Sequence, residues 1–226
     1  MSFSALLRAD LANLRRDPML LAASLAPVLI TGLLLIGLDR LAEVVDMGGH
    51  RDLIVGGAIL LTPLLIGFVI GFLTVEEKEE RILDAVAVTP RGSGGFLAHR
   101  LLLPAAVGGV AAGGIGVAVG SQSGVTLLLV SVLAAGTACL VMLTLVASAR
   151  DRVQALAVSK LTGFLLVAAI AFQLTDGWWL LPLGLSPATW VVETAVAPEP
   201  WQAFGVGLVV HAVVGVALWR RVRRTM

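Results

Sequence analysis

The stretch LIVGGAILLTPLLIGFVIGFLTVEEKEE, residues 53–80, decides the class of fold. Residues 53–75 carry no charged side chain, and about 20 apolar residues suffice for one helical crossing of a bilayer. Residues 76–80 follow at once with four glutamates and a lysine, which need water. The stretch therefore predicts a membrane-spanning helix that ends at an aqueous surface.

The composition of the whole chain agrees with this prediction. Of 226 residues, 58% are hydrophobic and 14% are charged, and the mean hydropathy is +0.97. Soluble domains carry about 25% charged residues, so this chain could not cover its surface in water. The net charge of +1 gives no reason to expect a nucleic-acid partner. An all-α membrane protein follows, because helices satisfy their own backbone hydrogen bonds in lipid.

Five further apolar runs are long enough to cross a bilayer. The six predicted spans are about 19–38, 53–75, 101–119, 125–148, 156–174 and 203–219. If the N-terminus is cytoplasmic and each run crosses once, all 16 lysines and arginines except Arg40 and Arg51 lie on the cytoplasmic side. Positive residues favour that side, so the pattern predicts six crossings with both termini in the cytoplasm.

Residues 177–192 form an uncharged run that resembles a seventh span. Pro182 and Pro187 would each interrupt a helix there. A seventh crossing would also move the four C-terminal arginines outside. We therefore predict a re-entrant outer hairpin over residues 175–202. Tryptophans anchor such a segment at the interface, and the candidates are Trp178, Trp179, Trp190 and Trp201.

The first 17 residues have a different pattern. Phe3, Leu6, Leu7, Leu11 and Leu14 recur at helical spacing among charged residues. The pattern predicts an amphipathic helix along the inner membrane surface. The alternative is a solvated leader whose periodicity is accidental.

Sequence motifs of catalysis are missing. The chain has no glycine-rich phosphate loop with lysine, and no Cys/His cluster of metal spacing. We therefore predict no catalytic residues, no metal and no cofactor in this chain. The spans also contain no Asp or Glu at depth, which argues against a proton- or sodium-coupled carrier. A carrier that coordinates ions by backbone carbonyls stays open.

One ionisable side chain lies well inside a span. His211 shares a helix face with Gly207 and Gly215, at four residues on either side. Small residues let a neighbouring helix approach closely. One interpretation places His211 on a translocation path or at a subunit contact. The other is a neutral histidine hydrogen-bonded to an adjacent helix.

The segment VEEKEERILDAVAVTP, residues 75–90, begins the only substantial cytoplasmic connection that we predict, residues 76–100. We predict a helix from Glu76 to Val88 with a pair between Glu77 and Arg81, four residues apart. Thr89 and Pro90 would stop it. The pattern is typical of a docking helix displayed below the membrane, and equally of an ordinary solvated loop.

The segment resembles the cytoplasmic loop of type-2 ABC exporter permeases, whose pattern is roughly E-R-E-x-G-T-L-E-x-L-x-x-T-P with a basic residue about ten positions on. The matching parts are Glu77-Lys78-Glu79, Leu83-Asp84, Val88-Thr89-Pro90 and Arg100. The chain departs from the pattern at Arg81 and Ile82, where the family often has Gly-Thr. The six spans and the leader with Arg16-Asp17-Pro18 agree with the family in layout.

The resemblance implies a single transmembrane domain over 1–226, with a cytoplasmic coupling loop over 76–95, in a bacterial cell membrane. It implies two partners, a cytoplasmic ABC ATPase that binds the ATP and a second permease copy or paralogue. The coupling residues would be Glu77, Glu79, Arg81, Leu83, Asp84, Thr89 and Pro90. The family exports drugs, antibiotics including fluoroquinolones, lipids and polysaccharides, and drug export is our first expectation. The alternatives are a non-transporting anchor or immunity subunit for an ATPase, a secondary carrier, and an intramembrane enzyme.

Overall fold

A computed structural model describes residues 12, 18–44, 50–82, 92–120 and 122–225, and it is helical throughout that part of the chain. The helices are α1 (Pro18–Val44), α2 (His50–Glu79), α3 (Gly92–Arg100), α4 (Leu102–Val119), α5 (Gly124–Ser148), α6 (Arg152–Leu174), α7 (Leu180–Gly184), α8 (Pro187–Val196) and α9 (Pro200–Thr225). A short 3-10 turn, Gly177–Trp179, precedes α7. The prediction of an all-α protein is confirmed for this part of the chain.

Five helical stretches are long and apolar enough to cross a membrane. They are His50–Glu79, Gly94–Val119, Gly124–Ser148, Arg152–Leu174 and Pro200–Arg224. A shorter apolar stretch, Leu25–Leu38, lies within α1. Five of the predicted spans therefore coincide with long apolar helices, and the first coincides with the shorter one. The predicted helix over residues 1–17 lies outside the described residues except for Ala12, which is helical.

The boundaries of the central helices follow from local chemistry. Helix α3 ends and α4 begins at Leu101. This break lies within one helical turn of Pro104, which cannot donate a backbone hydrogen bond. Gly120 ends α4 with a left-handed φ of 64°. The side chains of Ser123 and Asp151 accept hydrogen bonds from the backbone of Thr126 and Gln154, and so cap α5 and α6.

Helices α2 and α5 form the centre of the bundle. Helix α2 packs against α1, α4, α5, α6 and α8, and α5 also contacts α9. Glycines bring the two central helices together, because a Cβ at Gly67 would lie 2.5 Å from the Ala138 carbonyl oxygen. Midway along α2, Pro63 is buried and leaves one turn without its backbone hydrogen bond.

The outer helices present apolar side chains to the surroundings. Leu33 of α1 is 74% exposed, Phe164 of α6 is 66% exposed and Val213 of α9 is 65% exposed. A water-soluble protein does not expose large apolar side chains all around its surface. These exposed faces, together with the five long apolar helices, identify a multi-pass membrane protein.

The segment before α9 consists of the 3-10 turn and two short helices, α7 and α8, and the predicted re-entrant outer hairpin over residues 175–202 stays a prediction. Pro187 begins α8, and Thr189 and Trp190 donate side-chain hydrogen bonds back to the carbonyls of Leu183 and Gly184. Helix α8 is mostly buried against α2, α5, α6 and α9. Trp178 and Trp201 are exposed, whereas Trp190 is half-buried against Phe172. The side chain of Trp179 lies outside what the structure describes.

The bundle has two ends of different character. At one, which we call the basic end, α2, α5 and α9 finish and α6 begins. Lys78, Arg150 and Arg221 line a single cavity there. At the opposite end, Gln122 donates to the Ala195 carbonyl at 2.8 Å and Gln173 donates to Glu193 at 2.6 Å.

Candidate functional site

The acidic run at residues 76–80 lies at the basic end, where α2 finishes. Helix α2 continues to Glu79, and the Glu80 backbone N–H donates to the Glu76 carbonyl at 2.9 Å. Arg81 then takes a φ of 58°, in the left-handed region that few residues other than glycine adopt. Ile82 is helical again. The chain therefore leaves α2 through a sharp turn at Glu80 and Arg81.

This turn corrects one prediction. The helix predicted from Glu76 to Val88 is interrupted at Glu80–Arg81, because a left-handed residue ends the α-helical ladder. The ion pair of Glu77 among the described residues is with Arg100, at 3.1 Å. The other predicted coupling residues, Leu83, Asp84, Thr89 and Pro90, lie outside the described residues.

Arg152, the first residue of α6, joins that helix to the acidic run. Its guanidinium contacts Glu76 and lies 3.7 Å from a Glu80 oxygen and 4.0 Å from a Glu79 oxygen. Its backbone N–H also donates to Glu79 at 3.1 Å. The arginine is 46% exposed, so solvent weakens each of these ion pairs. One cation thus holds three carboxylates from the end of α2.

Arg100, the last residue of α3, binds the same end of α2 from another side. Its side chain is fully buried, and Nε donates to the Thr74 hydroxyl at 3.3 Å. A guanidinium nitrogen lies 3.1 Å from a Glu77 oxygen. A buried charge needs a partner of opposite sign, and Glu77 supplies it. The acidic end of α2 is thereby fixed to both α3 and α6.

Lys78 points away from its acidic neighbours. Its Nζ donates to the carbonyl oxygens of Val146 and Ala149, at 3.2 and 3.3 Å, where α5 ends. The last carbonyls of a helix lack partners within it, and a lysine satisfies them well. Consecutive residues of one run therefore tie the end of α2 to three other helices.

The sequence singled out Glu77 and Glu79 but did not single out Arg152. The available signal was the run Arg150-Asp151-Arg152 in the next cytoplasmic connection, whose charge complements the glutamates. Arg100 entered only through the family resemblance. No group of three His, Cys, Asp or Glu side chains that could hold a metal occurs among the described residues.

The second predicted site lies between α5 and α9, inside the bundle. His211 Nδ1 is 2.7 Å from the Gly207 carbonyl oxygen and Nε2 is 2.9 Å from the Thr137 hydroxyl. A carbonyl only accepts, so Nδ1 donates to Gly207. The Thr137 hydroxyl, which also donates to the Leu133 carbonyl at 3.0 Å, contacts Nε2 from α5. The geometry fits a histidine hydrogen-bonded to an adjacent helix, the second of the two sequence interpretations.

The two glycines on that face differ in their surroundings. A Cβ at Gly207 would lie 2.8 Å from Trp190 Cβ and 2.9 Å from a Leu133 methyl carbon, so only glycine fits. A Cβ at Gly215 would meet Leu140 at 3.5 Å, an ordinary contact. Beside His211 lies an open apolar cavity of about 400 Å³. Its lining includes Leu143, Cys139, Gly215 and Trp219.

Comparison with known proteins identifies relatives of the whole chain. The family described as "Fluoroquinolones export permease protein Rv2686c-like" matches residues 10–219. Two curated proteins of Mycobacterium tuberculosis are similar: fluoroquinolones export permease protein Rv2686c of strain H37Rv and fluoroquinolones export permease protein MT2760 of strain CDC 1551 / Oshkosh. Each is 27% identical over 236 residues, covering 96% of this chain and 92% of the relative.

Proposed function

Because the chain belongs to the Rv2686c-like family of fluoroquinolones export permeases, we propose that it is the membrane subunit of an ATP-driven exporter of drug-like, amphipathic compounds such as fluoroquinolones. A separate cytoplasmic ABC ATPase binds and hydrolyses the ATP. A second copy of the chain, or a paralogue, completes the translocation path. Each subunit crosses the membrane six times, and both termini are cytoplasmic.

The attachment of the acidic run to its neighbours is the observation that carries this proposal. An ATPase that presses on the loop after Glu79 acts on a helix end held by Arg152 and Arg100. Helix α2 lies at the centre of the bundle and contacts α4, α5 and α6. A displacement at its end is therefore transmitted to most of the spans, as coupling requires.

The apolar cavity beside His211 gives the exporter a place for an amphipathic compound. Its volume of about 400 Å³ lies within the range of pockets that bind small molecules. Trp219 offers an aromatic face, while the hydrogen bond between His211 and Thr137 keeps α9 against α5. We assign the face of His211, Gly207 and Gly215 to this helix interface at the edge of the path.

The docking proposal has a direct test. We expect the double variant Glu79→Ala with Asp84→Ala to lose most of its co-purification with the ATPase, because two charges of the docking surface are removed. The matched control is Asp176→Ala with Glu199→Ala, two exposed carboxylates that are distant from the basic end in sequence. Unchanged ATPase binding by the first variant, in a folded protein, would contradict the docking role.

Transport is tested separately. The chain and its ATPase are reconstituted into vesicles, and ATP-dependent movement of a fluorescent fluoroquinolone is followed. We expect movement that needs both subunits and ATP. Stable ATPase binding with no movement of this or other amphipathic drugs would contradict export and favour a non-transporting anchor.

A further inference from the structure

A cavity at the basic end is lined by cationic side chains from three separate elements. Its volume is about 530 Å³. Lys78 comes from the end of α2, Arg150 from the turn between α5 and α6, and Arg221 from the end of α9. The remaining lining residues that the structure describes are Ala147, Ser148 and Ala149, none of which is acidic.

Two of these cations have donors that the described protein does not use. An ammonium group has three N–H donors, and Lys78 spends two on the carbonyls of Val146 and Ala149. The Arg150 backbone N–H donates to Gln154, whereas its guanidinium has no partner among the described residues. The nearby carboxylates of α2 are engaged by Arg152 and Arg100 instead.

The end of α5, which lines the cavity, also favours an anion. The last carbonyls of α5 form the negative end of that helix and would repel a negative group. Lys78 covers two of them with its own hydrogen bonds. The end of α5 alone would give this place a negative potential. With Lys78 bonded to its carbonyls, the potential in the cavity is positive.

We propose that this cavity binds the phosphate headgroup of an anionic phospholipid. The required chemistry is a phosphate ester, which accepts hydrogen bonds from guanidinium and ammonium donors. A lipid is favoured over a free anion because the cavity lies at the end of the spans, at headgroup depth, between apolar Ala147 and Ala149. In the proposed orientation this depth belongs to the cytoplasmic leaflet, where anionic lipids collect in basic pockets between helices.

A bound phosphate would join elements that the protein itself links only in part. Lys78 already ties α2 to α5, but the cavity also includes Arg221 of α9. A phosphate held by Lys78 and Arg150 beside Arg221 would draw the end of α9 toward the end of α2. Anionic lipid would then stabilise one arrangement of the spans around the acidic run, and so regulate an exporter through its coupling end.

The test measures lipid binding to the purified full-length chain, apart from any transport. The probes are phosphatidylglycerol, phosphatidylcholine and inorganic phosphate, and binding is followed by native mass spectrometry in detergent. We expect phosphatidylglycerol to bind selectively and the variant Arg150→Gln with Arg221→Gln to weaken that binding at least about tenfold. Arg150→Lys with Arg221→Lys should retain most of the affinity, because it keeps both charges.

The matched control is Arg223→Gln with Arg224→Gln, which removes two exposed arginines of α9 that do not line the cavity. An equal loss in this control would mean diffuse attraction and would overturn the site. Equal binding of phosphatidylcholine would also overturn it. Binding of inorganic phosphate without selectivity for phosphatidylglycerol would overturn the lipid assignment. Lipid binding does not require the ATPase or a drug, so these results are independent of the export proposal.

Discussion

Arg81 is the residue at which the chain departs from the family pattern, and it is also the residue with a left-handed backbone. Its φ of 58° suits glycine, which the family often has at this position. An L-residue pays about 1 kcal/mol or more for that conformation. The departure therefore places an arginine in a left-handed turn that suits glycine, and this turn ends α2.

Replacing Arg81 with glycine tests this account. We expect Arg81→Gly to raise the free energy of unfolding by about 1 kcal/mol, because the left-handed strain is relieved. Arg223→Gly, in the last turn of α9, should instead lower it by about 0.5–1 kcal/mol. Both are measured by thermal unfolding of the purified protein. A loss of stability in Arg81→Gly would contradict the strain argument.

The buried pair of Arg100 and Glu77 makes a second prediction at this scale. We expect Arg100→Met to lower the free energy of unfolding by about 3–5 kcal/mol, because it leaves the Glu77 carboxylate without its buried cation. Arg100→Met combined with Glu77→Met should cost much less, since no charge is then stranded. The measurement is the thermal midpoint of each variant, and equal losses in both would contradict a charge-pair origin.

At the scale of elements, the sequence located the helices better than it located their ends. Residues 53–75 predicted a span, and the observed helix runs over His50–Glu79. Apolar runs mark the part of a helix that lies in hydrocarbon, whereas the helix itself continues into the headgroup region. The turn at Arg81 was missed because no glycine or proline marks it. Pairs such as Arg152 with Glu76 were missed because they join residues far apart in the chain.

Close packing of α9 against α5 and α8 gives a prediction for two glycines of one helix. We expect Gly207→Ala to lower stability by about 1–3 kcal/mol, because its methyl group would overlap Trp190 and Leu133. Gly205→Ala should cost nothing, since its new methyl group would meet no atom within 4 Å beyond the neighbouring backbone of α9. Thermal unfolding in one detergent compares them. An equal effect of the two substitutions would mean that helix propensity, and not packing, decides.

At the scale of the whole molecule, the arrangement of ends can be tested by cysteine labelling. In a Cys139→Ala background, we expect Glu199→Cys to react with an impermeant thiol reagent from outside the cell and Arg223→Cys only after permeabilisation. Both positions are exposed. Ser186, in the same outer segment as Glu199, is a poorer labelling site because its hydroxyl oxygen is buried. Reaction of both from the same side would contradict a membrane crossing by α9.

Membrane class was accessible from composition because the bilayer demands apolar helices in every span. Orientation stays a prediction from the distribution of charge. The candidate site was accessible only in part. Glu77 and Glu79 stood out in a run of charge, but their partners come from other loops. The cavity of Lys78, Arg150 and Arg221 left no trace in the sequence, since three elements create it only when they meet.

Pro63 gives the central helix a mechanical property that its burial alone does not suggest. The missing hydrogen bond at Pro63 divides α2 into an outer half and a half that ends in the acidic run. In the proposed orientation, the longer half of α2, which follows Pro63, carries the acidic run toward the cytoplasm. A force applied at Glu79 would tilt the half of α2 that follows Pro63, while the other half stays packed against α8.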